Sequence, residues 1–175
     1  MIRGLNSNSL VCDDYVEHDV NLVQTIIESF SKVRGIMKLK VKRLSPTSKL
    51  PTKAHDTDAG WDLYADITHP VTIPTNGLAT IDTGIAMAIP KGYCGQIWDR
   101  SSYGVNGTTK LAGVIDCSYR ASVKVVLYSF RGKVINPGDK FAQILILPVP
   151  EVEIEEVENL DDTERGEGGF GSSGR

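Results

Sequence analysis

Residues 71–98 read VTIPTNGLATIDTGIAMAIPKGYCGQIW: short β-rich runs at 71–73, 78–82, 84–89 and 93–98, broken by Pro74-Thr75-Asn76-Gly77 and Pro90-Lys91-Gly92. Val, Ile, Thr and aromatic side chains suit a pleated, half-buried surface, and Pro, Asn and Gly supply the turn conformations between such runs. The same grammar continues in both directions. It predicts strands near 60–65, 111–115, 122–130, 141–147 and 151–157, with Asn136-Pro137-Gly138-Asp139 as a further turn. Upstream, Met37 opens MKLKVKRL, where Leu39 and Val41 face one way and Lys38, Lys40 and Lys42 the other. Period-two alternation of this kind marks a half-buried strand. No stretch after Met37 has a convincing helical period. Short strands spaced about ten residues apart predict an all-β sandwich or barrel.

The two ends of the chain read differently. Val16, Val20, Val23, Ile27 and Phe30 recur at three- and four-residue spacing, which predicts an amphipathic helix over 18–33 with Asp19 at its N-cap. Residues 1–36 are therefore either a helical extension or a segment upstream of a start at Met37. At the other end, EVEIEEVE over 151–158 alternates acid and apolar residues, as a final exposed strand would. ERGEGGFGSSGR then closes the chain, with seven Gly or Ser residues and only Phe170 apolar. Nothing there can build a core, so a flexible arm is expected. The expected divisions are 1–36, 37–160 and 161–175.

Composition narrows the function classes. The 175 residues carry a net charge of −3, unevenly spread. Lys plus Arg against Asp plus Glu number 3 and 5 over 1–36, 14 and 8 over 37–150, and 2 and 9 over 151–175. A basic body can attract an anionic ligand, but it has no dense Lys/Arg run, and the acidic tail would repel a polyanion. No nucleic-acid partner is expected. No run of eighteen apolar residues exists to span a membrane, and the first residues lack a secretory h-region. Cys12, Cys94 and Cys117 form neither a CxxC pair nor a disulfide framework. His18, His55 and His69 share no metal-ligand spacing. A soluble, cytoplasmic protein is the expectation.

Candidate chemistry lies in a few polar islands. Gly166, Gly168 and Gly171 satisfy GxGxxG, yet only four residues follow, too few for the helix a dinucleotide turn must open. Gly-rich backbone N–H groups and the Ser172-Ser173 hydroxyls can still wrap an oxyanion, and Arg165 adds a bidentate fork. Asp62 and Asp116 sit among strand-forming apolar residues, where carboxylates are uncommon unless paired or working; read in isolation, a turn-capping acid is the favoured reading of each. Asp99-Arg100-Ser101-Ser102 offers a cation and two hydroxyls after a strand, either a phosphate clamp or a surface turn with a salt bridge.

In order, these islands resemble the five motifs of the trimeric dUTP diphosphatases: Ala59-Gly60-Trp61-Asp62-Leu63 the first, Asp99–Ser102 the second, Ala112–Arg120 (AGVIDCSYR) the third, Gly138–Leu145 (GDKFAQIL) the fourth and Arg165–Gly174 the fifth. The resemblance covers 37–175. Trp61, Tyr103 and Ala121 depart from the usual residues without removing a reactive group. It implies a jelly-roll-like β-barrel of the β-clip type, a homotrimer with shared active sites, and hydrolysis of dUTP to dUMP and pyrophosphate. This would limit uracil in DNA and supply dUMP. By resemblance, Asp116 is the general base, and Asp62 holds Mg²⁺ through water. Arg100, Ser101, Ser102 and Gln143 contact phosphates, and Arg165, Gly171, Ser172 and Ser173 clamp the γ end. Gly113, Val114, Ile115 and the backbone at Lys124 receive uracil, Tyr119 lies under the deoxyribose, and Phe170 stacks on the base. The related dCTP deaminases need a Glu, and residues 100–150 contain none. A nucleotide-binding regulatory protein that uses helix 18–33 as a partner contact is the alternative, and a jelly-roll lectin is more distant.

Overall fold

A computed structural model describes residues 37–168. The expected helix over 18–33 lies outside them, as do Phe170, Gly171, Ser172 and Ser173. The chain divides into two compact units, Met1–Leu39 and Lys40–Arg175, and the elements within 37–168 belong to the second. They are almost all strands: β1 Lys40–Arg43, β2 Trp61–Tyr64, β3 Val71–Ile73, β4 Gly77–Asp82, β5 Ile85–Ala88, β6 Tyr93–Trp98, β7 Thr108–Leu111, β8 Val114–Ile115, β9 Lys124–Ser129, β10 Lys133–Ile135 and β11 Lys140–Pro148. One short helix, α1, covers Ser101–Val105.

Every strand pairing is antiparallel, and the pairs make four sheets: β1-β5, β10-β3, β2-β11-β6-β8 and β4-β9-β7. The expected closed barrel is not formed by hydrogen bonding. β2 and β8 stand at the edges of the four-stranded sheet; beyond it β2 meets only an isolated bridge between Asp62 and Thr52, so among the described residues the ladder stays open. The core is largely aliphatic: Leu63, Ile73, Ile81, Ile97, Leu127, Ile135 and Ile144 are each at most 1% exposed, and Phe141 is the largest fully buried side chain among the described residues. Alternation generates it, as in β9, where Val125, Leu127 and Ser129 are buried between more exposed neighbours.

Three expectations need correcting. The strand expected over 111–115 is two strands, β7 and β8, because Ala112 (φ 61°) and Gly113 (φ 123°) take left-handed conformations that break the pleat. The strand expected over 151–157 does not form. Among the described residues no neighbouring edge meets its backbone, and Val152 and Ile154 are 80% and 96% exposed. Helix α1 has no counterpart in the sequence pattern, since a single turn is too short to show a period; it is anchored by the buried ring of Tyr103.

One irregularity decides where Lys140 points. β11 pairs Lys140 with Tyr64 but Ala142 with Leu63, so Phe141 is an extra residue in a β-bulge. Were the strand regular over the same residues, Lys140 would share the core-facing parity of Ala142 and Ile144. With the bulge, Lys140 joins Tyr64 and Asp62 on the opposite face.

Truncating the central ring tests the core. Phe141→Ala is expected to cost about 3–5 kcal/mol, read as a lower urea midpoint with little change in slope.

Candidate active site

Three strands bring three side chains abreast. Gln143 on β11 pairs with Asp62 on β2 and with Trp98 on β6, and paired residues project to the same face of a sheet. They form the floor of an open cleft of about 470 Å³ that also takes in Gly60, Asp99, Arg100 and Ser101. Gly60 leaves room for the Gln143 amide: a Cβ there would meet its Oε1 and push the side chain out of place. That amide is fixed from above, its Nε2 donating to the Asp99 carbonyl at 2.8 Å.

Asp62 is the electrostatic centre. Its Oδ1 accepts from Arg100 Nε at 2.9 Å, and Lys140 Nζ lies 2.9 Å from Oδ2. Arg100 also donates from Nη1 to the Lys140 carbonyl at 3.1 Å. The hydrogen bond to Asp62 holds the Lys140 ammonium above its ordinary pKa of 10.5. Sequence reasoning misses Lys140; its side chain reaches Asp62 only because the bulge turns it there. It also gives no role to Trp98, Asp99 or Gly60, although Gly60 lies inside the AGWDL string. Ser102 follows on α1 and is exposed, outside the lining of the cleft.

The third stretch is built from a divided hairpin. β7 runs beside β9, with Leu111 opposite Val126. Continued, that register would set Gly113 against Lys124. Instead the left-handed Ala112 and Gly113 carry the chain across to β6, where the Ile97 N–H donates to the Gly113 carbonyl at 2.8 Å and Ile115 pairs with Gly95. Gly113, Val114 and Ile115 therefore line the parting between two sheets, with Lys124 on the far bank. The Lys124 ammonium is 3.4 Å from Asp82. Burial pushes the Asp82 carboxyl up, but the Ser122 hydroxyl, the Gly84 N–H and Lys124 outweigh it and hold its pKa below 3.8.

Asp116 lies elsewhere. It follows Ile115, so it stands level with Cys94 at the start of β6, and with Cys94, Cys117 and Glu151 it lines a second cleft. Arg100 lies beyond Trp98 at the other end of that strand. From Cys94 to Trp98 is four residues, about 13 Å of strand. The two clefts share no lining residue. Within one chain, then, the structure gathers Asp62, Arg100, Ser101 and Gln143 but leaves Asp116 apart from them. Tyr119, 42% exposed, donates its hydroxyl to the Ser122 carbonyl at 3.0 Å. Exposed Arg165 donates from Nε to the Gly168 carbonyl at 2.8 Å.

Among the described residues no group of three His, Cys, Asp or Glu side chains could cage a metal. Asp62 is engaged by two cations, Asp99 accepts from Thr109 and Lys110, and Asp58 accepts from the His55 backbone. This donor set does not fit an inner-sphere Mg²⁺ site. It does fit a cation that arrives with its own ligands and waters and meets Asp62 through one of them, the mode Mg²⁺ favours. Among the described residues no helix is long and apolar enough to cross a membrane.

A protein-family model described as dUTPase matches residues 47–174. The deoxyuridine 5'-triphosphate nucleotidohydrolase of Candida albicans is 42% identical over 149 residues, spanning 82% of this chain and 92% of that protein. The Gloeobacter violaceus protein of the same name is 39% identical over 79% of this chain and 97% of its own length. The human mitochondrial one is 42% identical over 81% of this chain and 56% of its own length. Among solved structures, a Staphylococcus bacteriophage 80alpha dUTPase with dUPNHPP is 29% identical and superposes with a TM-score of 0.70, covering 79% of this chain and 99% of that one.

Asp82 gives a pH test. Its folded pKa lies below the unfolded value, so its stabilisation is present above about pH 4 and is lost as pH falls through the lower folded value. Asp82→Asn is expected to flatten the loss of melting temperature below pH 4, measured by acid-series calorimetry; an unchanged slope would contradict the assignment.

Proposed function

This chain belongs to the dUTPase family and hydrolyses dUTP, and from that premise we propose that each active site is shared between chains of a homotrimer. The separation of Asp116 from the Asp62–Arg100–Gln143 cleft is the observation that carries this reading. One chain offers the phosphate cleft and another the Asp116 cleft. Closed symmetry then yields three equivalent sites. Jelly-roll packing of the sheets over 37–160, with residues 161–175 as an arm reaching a neighbour, agrees with it. Residues 1–36 are an extension with no assigned role, and a cytoplasmic location fits the composition.

The reaction is dUTP plus water giving dUMP and pyrophosphate. Asp116 takes a proton from a water as it attacks the α-phosphorus in line, and pyrophosphate departs on the opposite side. An exposed carboxylate free of any salt bridge among the described residues suits a base. Arg100, Ser101, Ser102 and Gln143 hold phosphate oxygens, stabilising charge where it develops. For Arg100 this requires only that its unused N–H groups turn outward, since Asp62 already fixes the plane of its guanidinium. Asp62 would hold, through water, a Mg²⁺ that accompanies the triphosphate and would supply charge neutralisation there.

Uracil enters the parting lined by Gly113, Val114 and Ile115, with the Lys124 backbone opposite. Main-chain donors and acceptors there read the base edge, so cytosine presents the wrong pattern. Tyr119 lies against the deoxyribose and leaves no space for a ribose hydroxyl. The arm contributes Arg165, Gly171, Ser172 and Ser173 to the γ-phosphate and Phe170 to the base. Its ordering costs entropy that these contacts offset.

Two inactive variants test the sharing. Asp116→Asn and Arg100→Ala are each expected to lower pyrophosphate release from dUTP at least about 100-fold. Co-expressed in equal amounts, they should recover about a quarter of wild-type activity if a site draws the two residues from different chains, and nothing above the single variants if it draws them from one.

A further inference from the structure

The phosphate cleft is poor in unengaged positive charge. Asp58, Asp62 and Asp99 line it, against Arg100; Lys140 reaches Asp62 from the β11 side, and both cations are bound to that one carboxylate. A triphosphate entering here meets more acid than base. One further cation stands at the rim. The Lys110 ammonium lies over the Trp98 ring, 5.6 Å from its centroid, and Trp98 is the cleft residue beside Gln143, 48% exposed. Lys110 forms no ion pair among the described residues.

Its position is built rather than incidental. Asp99 Oδ1 accepts the Lys110 backbone N–H at 2.6 Å, and Asp99 Oδ2 accepts the Thr109 hydroxyl at 2.7 Å. Asp99 therefore ties β7 to the end of β6 through the same residue whose carbonyl holds Gln143. The Lys110 stem then passes Gly113, where any Cβ would come within 3.5 Å of Cδ, and ends over the indole. An aromatic face retains a cation without neutralising it. The charge so held remains available to an anion.

We infer that Lys110, held over Trp98 by the Asp99 clasp, is a further substrate-binding residue that meets the triphosphate at the rim of the phosphate cleft. This rests on the reading that dUTP phosphates occupy that cleft. The second such pair supplies a control. Lys53 lies 5.0 Å from the Trp61 ring centroid, but Trp61 alternates with Asp62 and so projects from the other face of β2.

The test is kinetic and spectroscopic, on the full chain. Lys110→Met keeps the stem and removes the charge. It is expected to raise KM for dUTP about tenfold, the worth of one charge-assisted contact, with kcat within about twofold. Lys110→Arg should restore KM. With Trp61→Phe leaving Trp98 as the only tryptophan, saturation with dUpNHpp should change the Trp98 emission. An unchanged KM in Lys110→Met overturns the inference, as does a loss confined to kcat, an equal rise of KM in Lys53→Met, or a silent Trp98. Failure of the wild-type chain to hydrolyse dUTP would instead remove the underlying reading.

Discussion

Asp62 and the two cations that close on it, Arg100 and Lys140, form the constraint on which the cleft depends. One carboxylate cross-links β2, the turn leading into α1, and the start of β11. Little is gained in net stability from such partly buried pairs, because desolvation consumes much of the attraction. What they fix is geometry. Arg100 is held by its Nε and one Nη, so the remaining guanidinium edge is aimed before any ligand arrives. A guanidinium suits this because it is planar and can satisfy an internal partner and an external anion at once.

The charge layout obeys the same logic. All eight acids between residues 37 and 150 are aspartates, and those around the cleft are occupied: Asp62 by cations, Asp99 by a backbone N–H and a hydroxyl, Asp58 by the His55 backbone. Short carboxylates act here as internal fasteners. Asp116, by contrast, is exposed at the opposite end of β6, and it is also the acid to which the proposed mechanism gives a proton-transfer role.

Much of this is legible in the sequence, for reasons that differ by residue. β3 and β6 can be bounded from sequence because Pro, Asn and Gly punctuate them. The string AGWDL points to Asp62, and its glycine proves to be the space for Gln143. Other features are silent. β10 is three residues long, too short for alternation to register. The break at Ala112-Gly113 lies within an apolar run that reads as one strand. EVEIEEVE alternates only over 151–155, slips at Glu155-Glu156, and has no partner edge within the described residues; a pattern cannot reveal whether a neighbour exists. The roles of Trp98, Lys110 and Lys140 arise from cross-strand register, which no linear window contains.

The bulge at Phe141 carries a meaning for how this cleft is encoded. Because side chains along a strand take turns between two faces, the lysine's sign of charge reaches Asp62 only through an odd extra step in the backbone. The cleft is therefore specified by register as much as by chemistry: the same GDKFAQ letters on a strand without the bulge would send the ammonium into the aliphatic interior. An irregularity of the backbone inside GDKFAQ thus carries as much of the cleft as its letters.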